Sequence, residues 1–332
     1  MLYPLIRSVL FSMDPETAHR VAMMGLNQTA KCSRTHLSYT HPVKVMGIEF
    51  PNPVGIAAGL DKNAEYLPGL SALGVGFIEV GTVTPRAQPG NPKPRMFRLI
   101  EEQGIINRLG FNNHGVDHLL NNIERAHYQG ILGINIGKNF DTPLDKAHED
   151  YAYALERVYS KASYITINIS SPNTAQLRQL QLGDELILLL RTLHELRERL
   201  SDTHQRQVPL AVKIAPDLSD DEAKLIADQL ITFGMNAIIA TNTTIDHSAV
   251  KHHPHAIQQG GLSGAPLFEQ SLHMVSVLKT HLGETLPIIG VGGITSAERA
   301  KSMMQAGAAL IQLYSGLIFQ GPELIRSILT SL

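Results

Sequence analysis

The chemistry of this chain begins at a serine held between amides. Asn168-Ile169-Ser170-Ser171-Pro172-Asn173-Thr174 directly follows the apolar run Tyr164-Ile165-Thr166-Ile167. Such a run reads as a strand, so the polar cluster should open at a strand's C-terminal end, where parallel α/β folds place their functional groups. Ser171, with Asn168 and Asn173 on either side and Pro172 stiffening the turn, would suit proton transfer on a polar heterocycle. Ser, Asn, Thr and Pro are also ordinary turn formers. The loop alone therefore decides nothing.

Other polar residues follow other strand-like runs. Ala58-Gly59-Leu60-Asp61-Lys62-Asn63 follows the first and Gly81-Thr82 the second, while Asn135 sits in the third and Lys213 in the fifth. Thr241-Asn242-Thr243, Gly290-Val291-Gly292-Gly293 and Tyr314-Ser315 close the last three. A lysine in Leu210-Ala211-Val212-Lys213-Ile214 either points out between helices or points inward to an anionic partner, because buried lysines need one. Gly292-Gly293 before Ile294-Thr295-Ser296-Ala297-Glu298 would bare backbone N–H groups near a helix start, a phosphate site, with Gly264 offering another close-approach amide. No Gly-x-Ser-x-Gly elbow surrounds Ser171, which disfavours a Ser-His-Asp hydrolase. The 15 histidines show no metal signature: no His-Glu-x-x-His occurs, and His252, His253 and His255 read as an exposed polar loop without a neighbouring carboxylate.

Positioning these groups requires a large core. The 332 residues are 43% hydrophobic and 17% charged, with a net charge of −2 and no dense basic run, so the chain is globular and nucleic acid is not an expected partner. A single cysteine, Cys32, excludes an internal disulfide framework and a cysteine-based metal cluster. No signal peptide is visible, and no apolar run approaches the ~20 residues of a spanning helix. Any membrane contact should be peripheral.

Residues 1–40 differ from the rest. Leu2, Leu5, Ile6, Val9, Leu10 and Met13 form a helical stripe, and Asp14-Pro15-Glu16 reads as N-cap, N1 proline and acidic first turn of a second helix. That helix carries Ala18, Val21, Ala22 and Gly25 on one face, with Met23, Met24 and Leu26 beside it. The pair either packs on the main domain or dips into a bilayer surface, which Arg7, Arg20, Lys31 and Arg34 would favour over Asp14 and Glu16. A hairpin over residues 43–50 turns near Gly47. Strands are then expected over 54–58, 77–81, 132–136, 164–169, 210–214, 237–240, 287–291 and 310–313, with helices over 185–200, 220–233, 267–281 and 296–306 among the intervals. Eight strands alternating with helices at this length indicate a (β/α)8 TIM barrel over residues 41–332. A doubly wound sheet is the alternative, but the first strand lacks Gly-x-Gly-x-x-Gly.

Four motifs in series are specific: Ala57-Ala58-Gly59-Leu60-Asp61-Lys62-Asn63, Gly81-Thr82-Val83-Thr84-Pro85-Arg86, Asn107-Arg108-Leu109-Gly110-Phe111-Asn112 and Asn168–Thr174. Together they resemble the quinone-dependent (class 2) dihydroorotate dehydrogenases, through essentially the whole chain and without departure at a position expected to be catalytic. The resemblance implies one FMN per chain, its phosphate near Gly264, Gly293, Tyr314 and Ser315. It places Ala58, Gly59, Leu60, Asp61, Lys62, Thr82, Asn135, Asn168, Lys213 and Thr241 around the ring and ribityl chain. Dihydroorotate would be held by Lys62, Asn107, Arg108, Leu109, Gly110, Phe111, Asn168, Asn173, Asn242 and Thr243. Ser171 would take a proton from C5 as a hydride leaves C6 for the flavin N5, with Thr174 passing the proton on and Phe111 counted with them as catalytic. Serine rather than cysteine at this position points to the membrane-associated class. The N-terminal helices would then form the entrance for a membrane quinone, with His19, Arg98 and Tyr314 as contacts for its head. A peripheral, monomeric protein on the cytoplasmic face of a bacterial inner membrane, forming orotate for pyrimidine biosynthesis, is the resulting expectation.

Two rivals need different observations. A phosphate-binding barrel that isomerises or cleaves a sugar phosphate would need no redox cofactor. A peripheral membrane protein using its barrel only as a scaffold would turn nothing over.

Overall fold

The computed structural model describes residues 3–32, 40–174 and 176–332, without the side chains of Lys31 and Cys32. Leu2 and Arg34, and the Lys31 side chain named above, lie outside the described residues. Two helices lead: α1 (Tyr3–Phe11) and α2 (Pro15–Cys32). Asp14 caps α2 as its sequence indicates, its Oδ1 accepting from the Thr17 amide at 2.9 Å. A hairpin follows, β1 (Val43–Val45) and β2 (Ile48–Phe50), turning through Met46 and Gly47, both at positive φ.

Eight parallel strands close into a barrel: β3 (Val54–Ile56), β4 (Phe77–Val83), β7 (Ile131–Ile136), β8 (Tyr164–Asn168), β9 (Leu210–Ile214), β10 (Ala237–Ala240), β12 (Ile288–Val291) and β13 (Ala308–Leu313). The last pairs back onto β3, matching Ile311 with Val54 and Leu313 with Ile56. The strands read as apolar runs because both faces are covered. Around them run α3 (Leu67–Ser71), α4 (Val116–Ala126), α5 (Ala147–Val158), α6 (Gly183–His204), α7 (Asp220–Thr232), α8 (Phe268–Leu282), α9 (Ala297–Gln305), α10 (Ser315–Gln320) and α11 (Glu323–Ser331). The expected barrel is the observed one, with strand ends shifted by two residues at most.

Sequence dictates the helices locally. In α6, Leu186, Leu189, Leu190, Leu193, Leu196 and Leu200 recur at helical spacing and are buried; each contributes about 1.5–3 kcal/mol of burial. Ser219 and Glu222 form a complete capping box that starts α7. The hairpin plugs one end of the barrel: Phe50 stacks edge-on against Phe77 at 5.2 Å. Room for that ring comes from Gly55, where a Cβ would lie 2.3 Å from the Phe77 ring.

A second, antiparallel sheet was not expected. β5 (Met96–Leu99), β6 (Gly104–Asn107) and β11 (Gly261–Gly264) assemble in the order β11-β6-β5. Asn107 pairs with Gly261 across this sheet, and the loop after β6 carries Arg108 to Phe111.

Most of the N-terminal stripe faces the opposite way from a packed helix, Leu10 being the exception. Leu5, Ile6, Val9 and Met13 are exposed, and Tyr3, Leu10 and Phe11 turn inward instead. On α2, Ala18 and Met23 are buried, whereas Val21, Ala22, Met24 and Gly25 are exposed. The face expected to pack as a unit is therefore split. Attachment is polar as well: Arg95, itself buried, pairs with Glu16 at 2.7 Å, and Asn27 binds the Gly69 amide at 2.8 Å.

Candidate active site

A cavity opens at the C-terminal ends of the barrel strands, about 970 Å³ with the solvent at its open mouth included. It is lined by residues from all the anticipated segments except that of β7: Ala58, Gly59 and Lys62 after β3, Thr82 in β4, Asn168, Ser171 and Asn173 after β8, and Lys213 in β9. Thr241, Asn242 and Thr243 follow β10, Gly293 follows β12, and Tyr314 and Ser315 follow β13. The antiparallel sheet contributes Asn107, Gly264, and the Leu109-Gly110-Phe111 loop. Lys62, Ser171 and Lys213, far apart in sequence, thus share one chamber.

Beneath them lies a continuous hydrogen-bond network. Glu79, fully buried in β4, accepts from Asn135 Nδ2 at 2.8 Å, Tyr164 Oη at 2.9 Å and Gln312 Nε2 at 2.6 Å. Asn135 Oδ1 accepts from Thr82 Oγ1 at 2.6 Å, and Thr82 Oγ1 accepts from Asn168 Nδ2 at 2.8 Å. Asn242 Nδ2 reaches Ser170 Oγ at 3.0 Å and Asn168 Oδ1 at 3.3 Å. Each amide is therefore oriented before anything binds. At the rim, Asn173 Nδ2 donates to Asn107 Oδ1 at 3.1 Å.

The charges are tuned by burial. Desolvation lowers the Lys62 ammonium to about 8, the neighbouring Arg95 adding to the effect while Glu16 and Asp61 oppose it. Lys213 is also held below the ordinary lysine range by burial, partly offset by Glu79. The lysine does face inward, with a carboxylate below it. Burial pushes the Tyr314 hydroxyl up to about 12. Among the described residues Ser171 Oγ makes one hydrogen bond, accepting from the Asn173 amide at 3.2 Å. No histidine or carboxylate among the described residues lines its chamber.

Several anticipated residues stand back from the cavity. Asp61 accepts the Glu65 and Tyr66 amides at 2.9 and 2.7 Å and holds its own loop, its carboxyl raised to about 6 by burial against those bonds. Asn135 supports Thr82 from below. Arg108 turns away: its guanidinium lies over Phe97 and bonds Gln258 Oε1 at 3.0 Å and the Pro94 carbonyl at 2.8 Å, so it pins the antiparallel sheet. Thr174 is buried behind Ser171, and its Oγ1 has no hydrogen-bond partner. Leu60 belongs to a different chamber.

That chamber, about 900 Å³ with the solvent at its open mouth included, lies between the N-terminal helices and the barrel. Leu10, Phe11, Ala18, Met23, Leu26, Leu60, Leu317 and Ile318 make it apolar; the anticipated His19, Arg98 and Tyr314 are among its polar members, as is Tyr3, whose hydroxyl is taken up by the Ile318 carbonyl at 2.5 Å. Tyr314 lines both chambers and is the wall between them. Burial, reinforced by the charge of Lys62, lowers His19 to about 4, so its imidazole is neutral near pH 7. Arg98 donates to the Leu10 and Met13 carbonyls at 3.3 and 2.5 Å and lies over Phe11, fixing the end of α1.

Sequence reasoning passed over Glu79, Gln312 and Ser263, the last of which lines the cavity with its hydroxyl 2.9 Å from that of Ser315. The first two carried the signal that exposed Lys213, a polar residue in an apolar strand. The histidine loop also differs from expectation. His252 has a carboxylate after all, Glu102 Oε1 at 2.8 Å, and His253 and His255 are half-buried, the latter tilted on Phe97 at 5.2 Å.

Residues 41–332 match the family model described as dihydroorotate dehydrogenase. The chain belongs to that family. It is 54% identical over 333 aligned residues to a protein of Pseudomonas paraeruginosa named dihydroorotate dehydrogenase (quinone), covering 98% of this chain and 96% of the relative. A protein of the same name from Stutzerimonas stutzeri is 56% identical with the same coverage, and one from Burkholderia lata is 55% identical, covering 98% and 95%. Among solved structures of the family, the Eimeria tenella dihydroorotate dehydrogenase in complex with ferulenol superposes with a TM-score of 0.88 at 37% identity, covering 96% of this chain and 90% of that one. The ligand-free enzyme from the same organism gives 0.88 at 38%, covering 96% and 94%.

Proposed function

We propose that this chain is an FMN-dependent dihydroorotate dehydrogenase that forms orotate for pyrimidine biosynthesis and passes the electrons to a quinone. The observation that carries this reading is the pair of chambers sharing Tyr314: one polar with two desolvated lysines, one apolar and framed by α1 and α2. An isomerase would have no use for the second chamber, and a scaffold none for the first.

The residues present fit FMN. A Cβ at Gly293 would lie 2.6 Å from the Phe268 Cα at the start of α8, and one at Gly316 2.0 Å from the Ile294 carbonyl oxygen, so this backbone stays bare between the first turns of α8 and α10, where a phosphate gains from N–H groups. Two cavity-lining residues, Thr243 and Gln312, keep a buried oxygen without a hydrogen-bond partner. We assign the phosphate to Gly264, Gly293, Tyr314 and Ser315. The ring and ribityl chain go to Ala58, Gly59, Thr82, Asn168, Lys213 and Thr241. Bound FMN supplies a hydride acceptor whose reduced form carries negative charge. Lys213 favours that charge from a water-poor site, where electrostatic stabilisation is strong.

Dihydroorotate is assigned to Lys62, Asn107, Leu109, Gly110, Phe111, Asn168, Asn173, Asn242 and Thr243. Lys62 offsets its carboxylate, and the fixed amides meet its C=O and N–H groups. Ser171 takes the C5 proton, and the buried Thr174 hydroxyl is next in line to carry it away. Asp61, Asn135 and Arg108 act by holding these residues in place.

For the acceptor, His19, Arg98 and Tyr314 are the polar groups that a quinone head meets. Residues 1–40 form the entrance and 41–332 the catalytic barrel. Among the described residues no helix is long and apolar enough to cross a membrane. The exposed Leu5, Ile6, Val9 and Met13 stripe supports attachment to a bilayer surface, at the cytoplasmic face in our reading, by a monomer. Purified protein should be yellow and release one FMN per chain on denaturation; a colourless protein that FMN cannot reconstitute would remove this function.

A further inference from the structure

Outside both chambers, three metal-ligating side chains converge on the surface beside the loop that carries Lys62. The ligand atoms of Glu65, His114 and His118 all lie within 4.8 Å of one another. The two rings meet edge to face at 4.8 Å, and His118 Nε2 stands 3.8 Å from Glu65 Oε1. That distance is too long for a hydrogen bond, and His118 Nε2 is shielded from solvent without any other partner. A shielded imidazole nitrogen turned toward a carboxylate and a second imidazole calls for an occupant.

We propose that Glu65, His114 and His118 bind a divalent transition metal of the zinc type. Two imidazoles and a carboxylate are the donor set of zinc and its neighbours rather than of calcium or magnesium, which prefer oxygen ligands. Tetrahedral zinc separates its ligand atoms by roughly 3.4 Å, so rotamer adjustments of about 1.4 Å close the site. The backbone under each ligand is already fixed. The Glu65 amide donates to Asp61 Oδ1 at 2.9 Å, and its carbonyl accepts from Asn27 Nδ2 at 3.0 Å. The His114 amide donates to Asn63 Oδ1 at 2.9 Å, and Asn122 Nδ2 holds the Asn63 carbonyl at 2.8 Å. His118 lies in the first turn of α4, and the Glu65 charge offsets the positive end of that helix. Three protein ligands leave a position open to water, so the ion would clamp the 61–65 loop to α4. In sequence the only trace is a pair of histidines four apart; Glu65 lies on a separate segment.

The test is calorimetric titration of zinc chloride into the full-length holoenzyme after dialysis against a chelator, with flavin content measured in parallel. Expected is uptake of one zinc per chain. Removing a direct ligand should cost at least the 10-fold typical of losing an outer-shell partner, so His114→Ala and His118→Ala weaken uptake about 10-fold or more. His252→Ala, which alters a different histidine–carboxylate pair, leaves it unchanged, as does flavin content in all variants. Because His114 and His118 are not in the core, folding of the variants is checked by that flavin content. Absence of one-to-one uptake by the parent protein, or uptake equally tight in both ligand variants, overturns the proposal.

Discussion

Glu79→Gln tests whether the buried network carries charge or only shape. The carboxylate is fully enclosed and accepts three hydrogen bonds, at 2.6–2.9 Å, from Asn135, Tyr164 and Gln312. Hydrogen bonds to a charged group contribute about 1.5–3 kcal/mol each and neutral ones about 0.5–1.5, so neutralising Glu79 loses roughly 3 kcal/mol across three. The new amide also turns an NH2 group toward donors. Lys213 meanwhile loses the negative charge that partly offsets its burial. Removing one partner of a buried charge pair costs about 3–5 kcal/mol, so we expect destabilisation in that range. The assay is urea denaturation at fixed FMN concentration, comparing midpoints at unchanged slope. The exposed hairpin variant Glu49→Gln serves as control. Asn135 would lose its anchor too, so flavin should bind less tightly. A loss below about 1 kcal/mol, indistinguishable from the control, would refute the reasoning that Glu79 is a charged support of the site.

Other expectations follow from the same geometry. Ser171→Ala should keep its flavin, since Ser171 Oγ makes one long hydrogen bond, yet slow anaerobic flavin reduction by dihydroorotate about 10²–10⁴-fold; reduction within a few-fold of the parent would remove Ser171 as the base. Lys62 has a lowered pKa of about 8, so its charge is present below that pH and lost above it. Accordingly kcat/KM for dihydroorotate should fall about tenfold per pH unit above that point, and the break should vanish in Lys62→Gln. A break that persists in the variant belongs to another group. Leu5 and Val9 are 70% and 64% exposed, so the double variant Leu5→Glu/Val9→Glu should fold normally. Vesicle binding should nevertheless drop about 100-fold, as expected when two apolar anchors are lost. Undiminished co-sedimentation would show that α1 does not attach the protein.

Much of the barrel was legible because parallel strands covered on both faces are written as apolar runs, and functional residues interrupt them at their ends. Lys213 was readable on that ground alone. The antiparallel sheet was not: Met96–Leu99, Gly104–Asn107 and Gly261–Gly264 are short, two begin with glycine, and the β6–β11 partners lie over 150 residues apart in sequence. Their pairing is a tertiary event that local propensity does not encode. For the same reason Arg108 read as a ligand, although Phe97, Pro94 and Gln258 capture it. Periodicity found the apolar stripe of α1 but carries no information on which side faces protein, and here that side faces out. Asp14 at the start of α2 was legible because capping is local chemistry.

We propose that the two half-reactions occur in two chambers divided by Tyr314. Ala22 lines the apolar chamber from an otherwise exposed position, so Ala22→Trp can fill that chamber without disturbing the barrel. Double-mixing stopped-flow would first bleach the flavin with dihydroorotate and then add a long-chain quinone. Bleaching should proceed at the parent rate and reoxidation should be slowed severely. Equal slowing of both steps, or of neither, would contradict it.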